Sequence, residues 1–208
     1  DMSEAQWRAV LRQLITLRLV AVDHDHYNVL RLTEASREVL KGERRACVIT
    51  ADCLAVLAQM PSRSIAAIVT DPPYSSGGFV RGDRMVSTRT KYQQSDVIGE
   101  FPDFSGDNRD QRGYAYWVAL WLSECRRICV DGAMLCQFTD WRQLPITTDA
   151  IQAGGWIWRG IAPWDKCVAR PVPNRFRAQA EYIVWGTNGP RSTDTDGAVY
   201  ADGVISVP

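Results

Sequence analysis

The sequence has little to hold a metal: two histidines among its 208 residues, and no Cys-x-x-Cys pair. Its cysteines stand at 47, 53, 125, 129, 136 and 167, a spacing that offers no zinc set, so no metal site is expected. Most of them read as small buried apolar residues of a reduced, cytosolic protein. No signal peptide is visible, and no apolar run approaches the ~20 residues of a membrane helix, so the expected location is cytoplasmic, with no membrane partner. Basic and acidic residues balance at 24 each, which removes net charge as a pointer to a polyanion. Internal repeats and low-complexity blocks are also absent. What remains is 46% hydrophobic residues with eight tryptophans, enough for the core of one α/β domain, with or without a small appendage.

Two stretches of unlike character follow one another. Residues 4 to 18, "EAQWRAVLRQLITLR", place Trp7, Val10, Leu11, Leu14, Ile15 and Leu17 mainly on one helical stripe, with Ser3 as N-cap. "LVAV", the polar turn "DHDHYN" and "VLRLT" read as a β-hairpin, and a second helix opens with a capping pattern at Thr33 and stops at Gly42. Helix, hairpin and helix within so short a stretch suggest a partial winged helix over residues 1–45. From Ala46 the pattern changes. "ACVIT", "DCLAVLAQM" and "SIAAIV" read as strand, helix and strand, which favours a parallel pair joined by a crossover. A polar, Gly-rich stretch from 75 to about 113 follows, then the amphipathic helix "YAYWVALWLSECRRIC" with "VDG" as its stop. "AMLCQFT", "WIWRGIAPW" and "AEYIVWGT" are strand candidates, "WRQLPITTDAIQAGG" contains a helix, and the tail from Pro190 is turn-like.

The chemistry concentrates in "TDPPYSSGG", residues 70 to 78. Two prolines directly after "IAAIV" end the strand, because proline lacks the amide hydrogen and fixes φ. Asp71, Pro72, Pro73 and Tyr74 are therefore presented at a strand's carboxyl end, where open α/β sheets bind ligands. An exocyclic amine on a nucleobase is a poor nucleophile, since its lone pair is delocalised into the ring. Asp71 can accept one amine hydrogen and the rigidly held Pro72 carbonyl the other, drawing the nitrogen toward a tetrahedral shape. Tyr74 offers a ring face for a base swung out of the duplex. A rigid turn of no chemical consequence is the alternative for these four residues taken alone. Two loop stretches are basic: residues 81 to 91 carry four cations against one acid, and 166 to 177 carry four against none. The second contains Lys166, Arg170, Arg175 and Arg177, the candidates for tracking DNA phosphates.

"ITADCLAVLAQMPSRSIAAIVTDPPYSSGG", with "WLSECRRICVDGAMLCQFTDWRQLP" and "WDKCVARPVPNRFRAQAEYIVWGTNGP", resembles the amino-methyltransferases of DNA, which act on adenine or on the cytosine amine. The resemblance runs from about residue 46 to 190 and is closest to the permuted, beta-type branch. It implies a Rossmann-like S-adenosylmethionine-dependent fold, S-adenosyl-L-methionine as cofactor and double-stranded DNA as partner. Asp71 to Tyr74 match the catalytic tetrapeptide. Asp52 matches the acidic residue that contacts the donor's adenosine, with Ala51 in place of the usual glycine, and Asp71 also borders the donor. Members that begin the tetrapeptide with Asp are more often adenine enzymes. Carbon-5 methylation needs a cysteine nucleophile, usually after proline, and no Pro-Cys dipeptide occurs. The family's Gly-rich loop for the methionine end of the donor has no match: "SSGGF" is misplaced and "AGGW" reads as a helix C-cap. The fold is therefore expected to be incomplete, with a second copy or a further C-terminal segment completing the sheet.

The segment "SEAQWRAVLRQLITLRLVAVDHDHYNVLRLTEASREVLKGE" is similar to the latter part of the winged-helix RQC module of RecQ-type helicases, which would put His24, His26 and Tyr27 near a wing tip. No G-x-x-x-x-G-K-[ST] loop occurs, which excludes helicase activity from these residues. The reading reached is a site-specific DNA adenine methyltransferase, of the kind found in restriction-modification. Its alternative is a non-catalytic DNA-binding protein, made of a winged-helix remnant and a degenerate methyltransferase fold. Asp140 stands as pocket lining or helix cap, Glu181 as a partner of Arg175 or Arg177 or a plain surface pair. Trp117 and Trp121 read as core; Trp164 and Phe176 are the better candidates for DNA contact.

Overall fold

The computed structural model describes residues 10–11, 14–15, 19–23, 29–43, 45, 47, 49–74, 107–167, 171, 173–191 and 200–206. They divide into two compact units, Asp1–Asp52 and Cys53–Pro208. No helix among them is long and apolar enough to cross a membrane.

In the first unit, helical turns at residues 10–11 and 14–15 lead to the buried Leu19. Strands β1 (Val20–Asp23) and β2 (Val29–Leu32) pair antiparallel, with Val20 opposite Leu32. Helix α1 (Glu34–Leu40) follows Thr33, whose side chain makes no capping bond; the Ser36 hydroxyl instead donates to the Thr33 carbonyl at 2.6 Å. Gly42, at φ +77°, supplies the left-handed residue that ends the helix. Ser3, His24, His26 and Tyr27 lie outside the described residues.

The second unit is a mixed five-stranded sheet with helices. Its elements are α2 (Cys53–Gln59), β3 (Ile65–Thr70), α3 (Gln111–Ile128), β4 (Cys129–Thr139), α4 (Leu144–Ala153), β5 (Ile157–Asp165), β6 (Ala180–Thr187) and β7 (Ile205–Ser206). The strand order is β3-β4-β6-β5-β7. β3 runs parallel to β4, β6 runs antiparallel to both β4 and β5, and β7 is parallel to β5. The α/β class read from the sequence is the observed one.

Helix α3 forms because Tyr114, Val118, Trp121, Leu122, Cys125 and Ile128 fall on one buried stripe at helical spacing. Asp110 caps it by accepting the Gly113 amide at 2.7 Å, and Arg126 and Arg127 complement the dipole at its last turn. Along β4 the even spacing of Ala133, Leu135, Gln137 and Thr139 turns every second side chain inward. Ala133 and Leu135, with the apolar stripe of α3 and Ala150, Ile151, Trp156 and Val184, form the core, and the Trp156 indole donates to the Leu122 carbonyl at 2.9 Å.

Three expectations are corrected. The described residues of "ACVIT", Cys47, Ile49 and Thr50, form no strand. A strand exists only against a hydrogen-bonded neighbour, and the parallel partner of β3 is β4 instead. Nor does "VDG" stop α3, which ends at Ile128, so Val130, Asp131 and Gly132 lie inside β4. They form an irregularity: the register jumps from Ile65↔Cys129 to Ala67↔Met134, and Gly132 takes φ +78°. The Asn188 amide repairs the ladder, donating to the carbonyls of Arg126, Cys129 and Val130 at 3.3, 3.1 and 3.1 Å. The turn-like tail contributes β7.

Candidate active site

The strand directions gather one edge of the sheet. Because β3, β4 and β5 point the same way and β6 points oppositely, the carboxyl ends of the first three meet the amino end of β6. Asp71 follows β3, Asp140 follows β4, Lys166 follows β5, and Glu181 is the second residue of β6. This edge is where the sequence places the ligand end of "IAAIV".

Asp71 leaves β3 in an irregular segment with Pro72 buried and Pro73 and Tyr74 half-buried. Tyr74 packs against the hydrophobic core, and its hydroxyl donates to Glu181 Oε2 at 3.5 Å, the long limit of a hydrogen bond. The other carboxylate oxygen of Glu181 accepts from Lys166 Nζ at 2.8 Å. Both members of that ion pair are partly buried, with side-chain exposures of 32% and 26%.

Asp71 keeps one side open to water, but the protein around its carboxyl removes enough hydration to disfavour the charged form. That dehydration, together with the negative charge of Glu181, pushes its pKa up to about 6. At neutral pH the carboxyl is mainly ionised and still a good proton acceptor.

A buried polar row lies on β4 beside this edge. The Gln137 amide donates to Tyr114 Oη at 3.2 Å, Tyr114 meets Thr147 at 3.4 Å, and Thr139 meets Thr147 at 3.0 Å. Asp140 belongs to the helix entry: its Oδ1 accepts the amides of Arg142 and Gln143, each at 3.0 Å, and its Oδ2 pairs with Arg142 at 3.3 Å. The helix-cap role read from the sequence is not observed, since Gln143 is the N-cap and no side chain caps it; Asp140 builds the turn before α4 instead. Burial raises its pKa against those bonds.

The loop between β5 and β6 is closed at its base. Asp165 Oδ1 accepts the Cys167 amide at 2.7 Å and the Gln179 amide at 2.8 Å, and Lys166 N donates to the Gln179 carbonyl at 3.0 Å. The first two bonds hold the Asp165 carboxyl below its ordinary pKa. Cys167 and Asn174 adopt left-handed φ of 60° and 59°, turning the chain. Arg175, Phe176 and Arg177 are exposed, Phe176 completely. Arg170 lies outside the described residues. Trp164 is half-buried, its ring edge-on to Phe138 at 5.9 Å and its indole nitrogen buried, so it is less open to DNA than Phe176. Trp121 is core, and Trp117 is half-buried against it, with the Arg109 guanidinium 4.2 Å from its ring centre.

Asp71, Pro72, Pro73, Tyr74 and Lys166 are thus neighbours on one edge, with Arg175 and Arg177 on the loop that leaves it. Asp52 ends the first unit, whereas Asp71 belongs to the second. The central position of Glu181 is not foreseen in the sequence, where Arg175 and Arg177 are the expected partners. Its place opposite Trp164, which stands two residues before Lys166, is visible only in the β5–β6 register, so no signal in the sequence marks it.

The RQC domain family model matches residues 1–49, and the DNA methylase family model matches residues 65–200, well over half of the chain. Among solved structures, the chain is similar to one described as a DNA modification methylase from Thermus thermophilus, at 16% identity and TM-score 0.46, covering 70% of this chain and 54% of that one. It is similar to M1.HpyAVI at 12% identity and TM-score 0.48, covering 77% and 64%. It is also similar to the cytosine-N4-specific PvuII DNA methyltransferase at 14% identity and TM-score 0.47, covering 76% and 55%. The chain therefore spans between about half and two-thirds of the length of these structures. On the match that covers most of its sequence, the chain belongs to the DNA methylase family.

Proposed function

We propose that this chain holds the exocyclic amine of a base swung out of double-stranded DNA, adenine in the first instance, for methylation with S-adenosyl-L-methionine as donor. The observation that carries the reading is the Asp71–Tyr74 segment at the sheet's carboxyl edge, with a proton-accepting carboxylate beside a half-buried ring. The choice of adenine rests on the Asp that opens the tetrapeptide.

Asp71 accepts one amine hydrogen and the Pro72 carbonyl the other, which turns the nitrogen lone pair away from the ring. Tyr74 gives the base a face to stack on, and the Glu181 contact limits its swing. The donor supplies an electrophilic methyl group. An amine that received a methyl group there would have to give up a proton, and Asp71 is the acceptor that this reading sets against it. A pKa near 6 suits this task near neutral pH: the carboxylate is free to accept, and its conjugate acid is stable enough to form.

The described residues fit the amine better than the donor. Asp52 and Asp71 are the candidates for the donor's adenosine side, but no glycine among the described residues forms a cradle on the catalytic edge. Gly160 and Gly186 lie inside strands, where an added Cβ would meet Trp185 and the Ile157 carbonyl at 3.0 and 2.8 Å. Gly154 and Gly155 follow α4, and Gly189 is beyond the far end of β6. No step is therefore derived through the donor.

The same misfit favours a second reading, in which the chain binds DNA and transfers nothing. One experiment separates them. The chain is incubated with duplex DNA and isotopically labelled S-adenosylmethionine, and the DNA is digested to nucleosides for mass spectrometry. Labelled N6-methyladenine that disappears with Asp71→Ala supports the enzyme. DNA retention without any methylated nucleoside supports the binding protein.

A further inference from the structure

We propose that Glu181 is a positioning residue for this site, acting through both of its carboxylate oxygens: one fixes the Tyr74 ring and the other holds the Lys166 ammonium beside the Asp71 segment. This rests on the amine-holding reading and adds a role for a residue on a different strand from the tetrapeptide.

The geometry gives Glu181 two jobs. Tyr74 ends the described part of its segment, and the prolines before it have no amide hydrogen with which to pin the backbone. Its hydroxyl reaches across 107 residues of sequence to Glu181 Oε2 at 3.5 Å. A ring tethered at its far tip presents a fixed face to a base; an untethered one rotates. Lys166 is anchored at its own backbone by the Gln179 carbonyl at 3.0 Å, and its ammonium lies 2.8 Å from Glu181 Oε1. The pair thus joins β5, β6 and the segment after β3.

The charges have a linked consequence. Among the described residues, the ionisable groups at this edge include Asp71 after β3, Tyr74 in the same segment, Asp165 at the end of β5, which is bonded to the Cys167 and Gln179 amides, Lys166 after it and Glu181 on β6. Asp140 after β4 is engaged by Arg142. Glu181 repels the ionised form of Asp71, and Lys166, 2.8 Å from Glu181, brings a charge of the opposite sign to the same carboxylate. Glu181→Gln keeps the side chain's size but removes the charge and one of the two acceptor oxygens that Tyr74 and Lys166 use. Lys166→Met removes the offsetting charge and leaves Glu181 ionised. The two variants should move Asp71 in opposite directions, which general damage to the fold cannot do.

The test is an NMR titration of the full chain with carbon-13-labelled aspartate carboxyls, assigned through Asp71→Asn, in parallel with fluorescence binding to a duplex holding one unpaired adenine. The wild-type Asp71 midpoint is expected near 6. In Glu181→Gln it should fall, yet stay above 3.8 because dehydration, the larger cause, remains. In Lys166→Met it should rise. Affinity for the unpaired-adenine duplex should drop about tenfold in Glu181→Gln as the Tyr74 ring loosens, since one stacked base is worth about 1–3 kcal/mol. Unchanged midpoints in both folded variants, or shifts of the same sign, overturn the proposal while leaving the site's reading intact. A wild-type chain that shows no preference for the unpaired adenine overturns the reading itself, and the proposal with it.

Discussion

Replacing Asp71 by Asn should make the protein more stable at alkaline pH and lose that advantage in acid. The folded-state pKa of Asp71 lies near 6, above the ordinary aspartate value of 3.8. Between those two values the folded chain binds the proton and the unfolded chain has released it, so stability falls as pH rises through this window. Above it, the folded protein carries the full cost of an ionised, partly dehydrated carboxylate. A difference of that size corresponds to about 3 kcal/mol as an upper limit. Asp71 keeps more than a third of its surface in water, and screening there reduces the cost to about 1 kcal/mol. For a chain of this length that is about 2–4 °C in Tm. Scanning calorimetry of wild type and Asp71→Asn at pH 8 and pH 4 measures it. The variant should melt higher at pH 8 and level with wild type at pH 4. A variant that melts lower at pH 8, or gains equally at both pH values, refutes the argument that Asp71 is held against its own ionisation.

Four further outcomes follow from other parts of the second unit. Arg127 donates to the carbonyls of Met60 and Leu57 at 3.0 and 2.7 Å and pairs with Glu124, closing the end of α2; Arg127→Met should cost about 2–3 kcal/mol in urea unfolding. In Gly186→Ala the new Cβ would stand 2.8 Å from the Ile157 carbonyl, forcing β5 from β6, and a loss of about 1–3 kcal/mol is expected from the same assay. Phe176 is fully exposed, so Phe176→Ala should leave Tm unchanged while weakening duplex binding; Arg177→Ala should lower the slope of log K against log salt by about one.

The helices and strands that carry their own pattern were legible in the sequence. The stripe of α3, the hairpin of β1 and β2, and the break after β3 at Pro72 and Pro73 each follow from local spacing. What was not legible depends on partners distant in sequence. "ACVIT" has strand composition but no strand against it, and "VDG" has turn composition but is kept within β4 by Asn188, more than fifty residues away. Trp164 has the look of a surface aromatic beside a basic loop, yet its ring stands edge-on to Phe138 of β4, two strands away in the sheet. The site divides the same way. Asp71 to Tyr74 announce themselves because proline after a strand has few structural uses. Glu181 does not, because a lone acid opening a strand gives no hint that a tyrosine and a lysine from two other segments will meet it.

The central claim is that this edge holds an exocyclic amine, and it can be tested without any methyl donor. Two duplexes are compared by calorimetric titration, one with a single unpaired adenine and one with unpaired purine, which has the same rings and no amine. A site built to accept hydrogen bonds from that amine should favour adenine by about tenfold or more, the worth of one or two good hydrogen bonds. The preference should fall in Asp71→Ala, which leaves the Pro72 carbonyl as the one acceptor of the pair. Equal affinity for the two bases in the wild type, or a preference undiminished by the loss of the carboxylate, would contradict it.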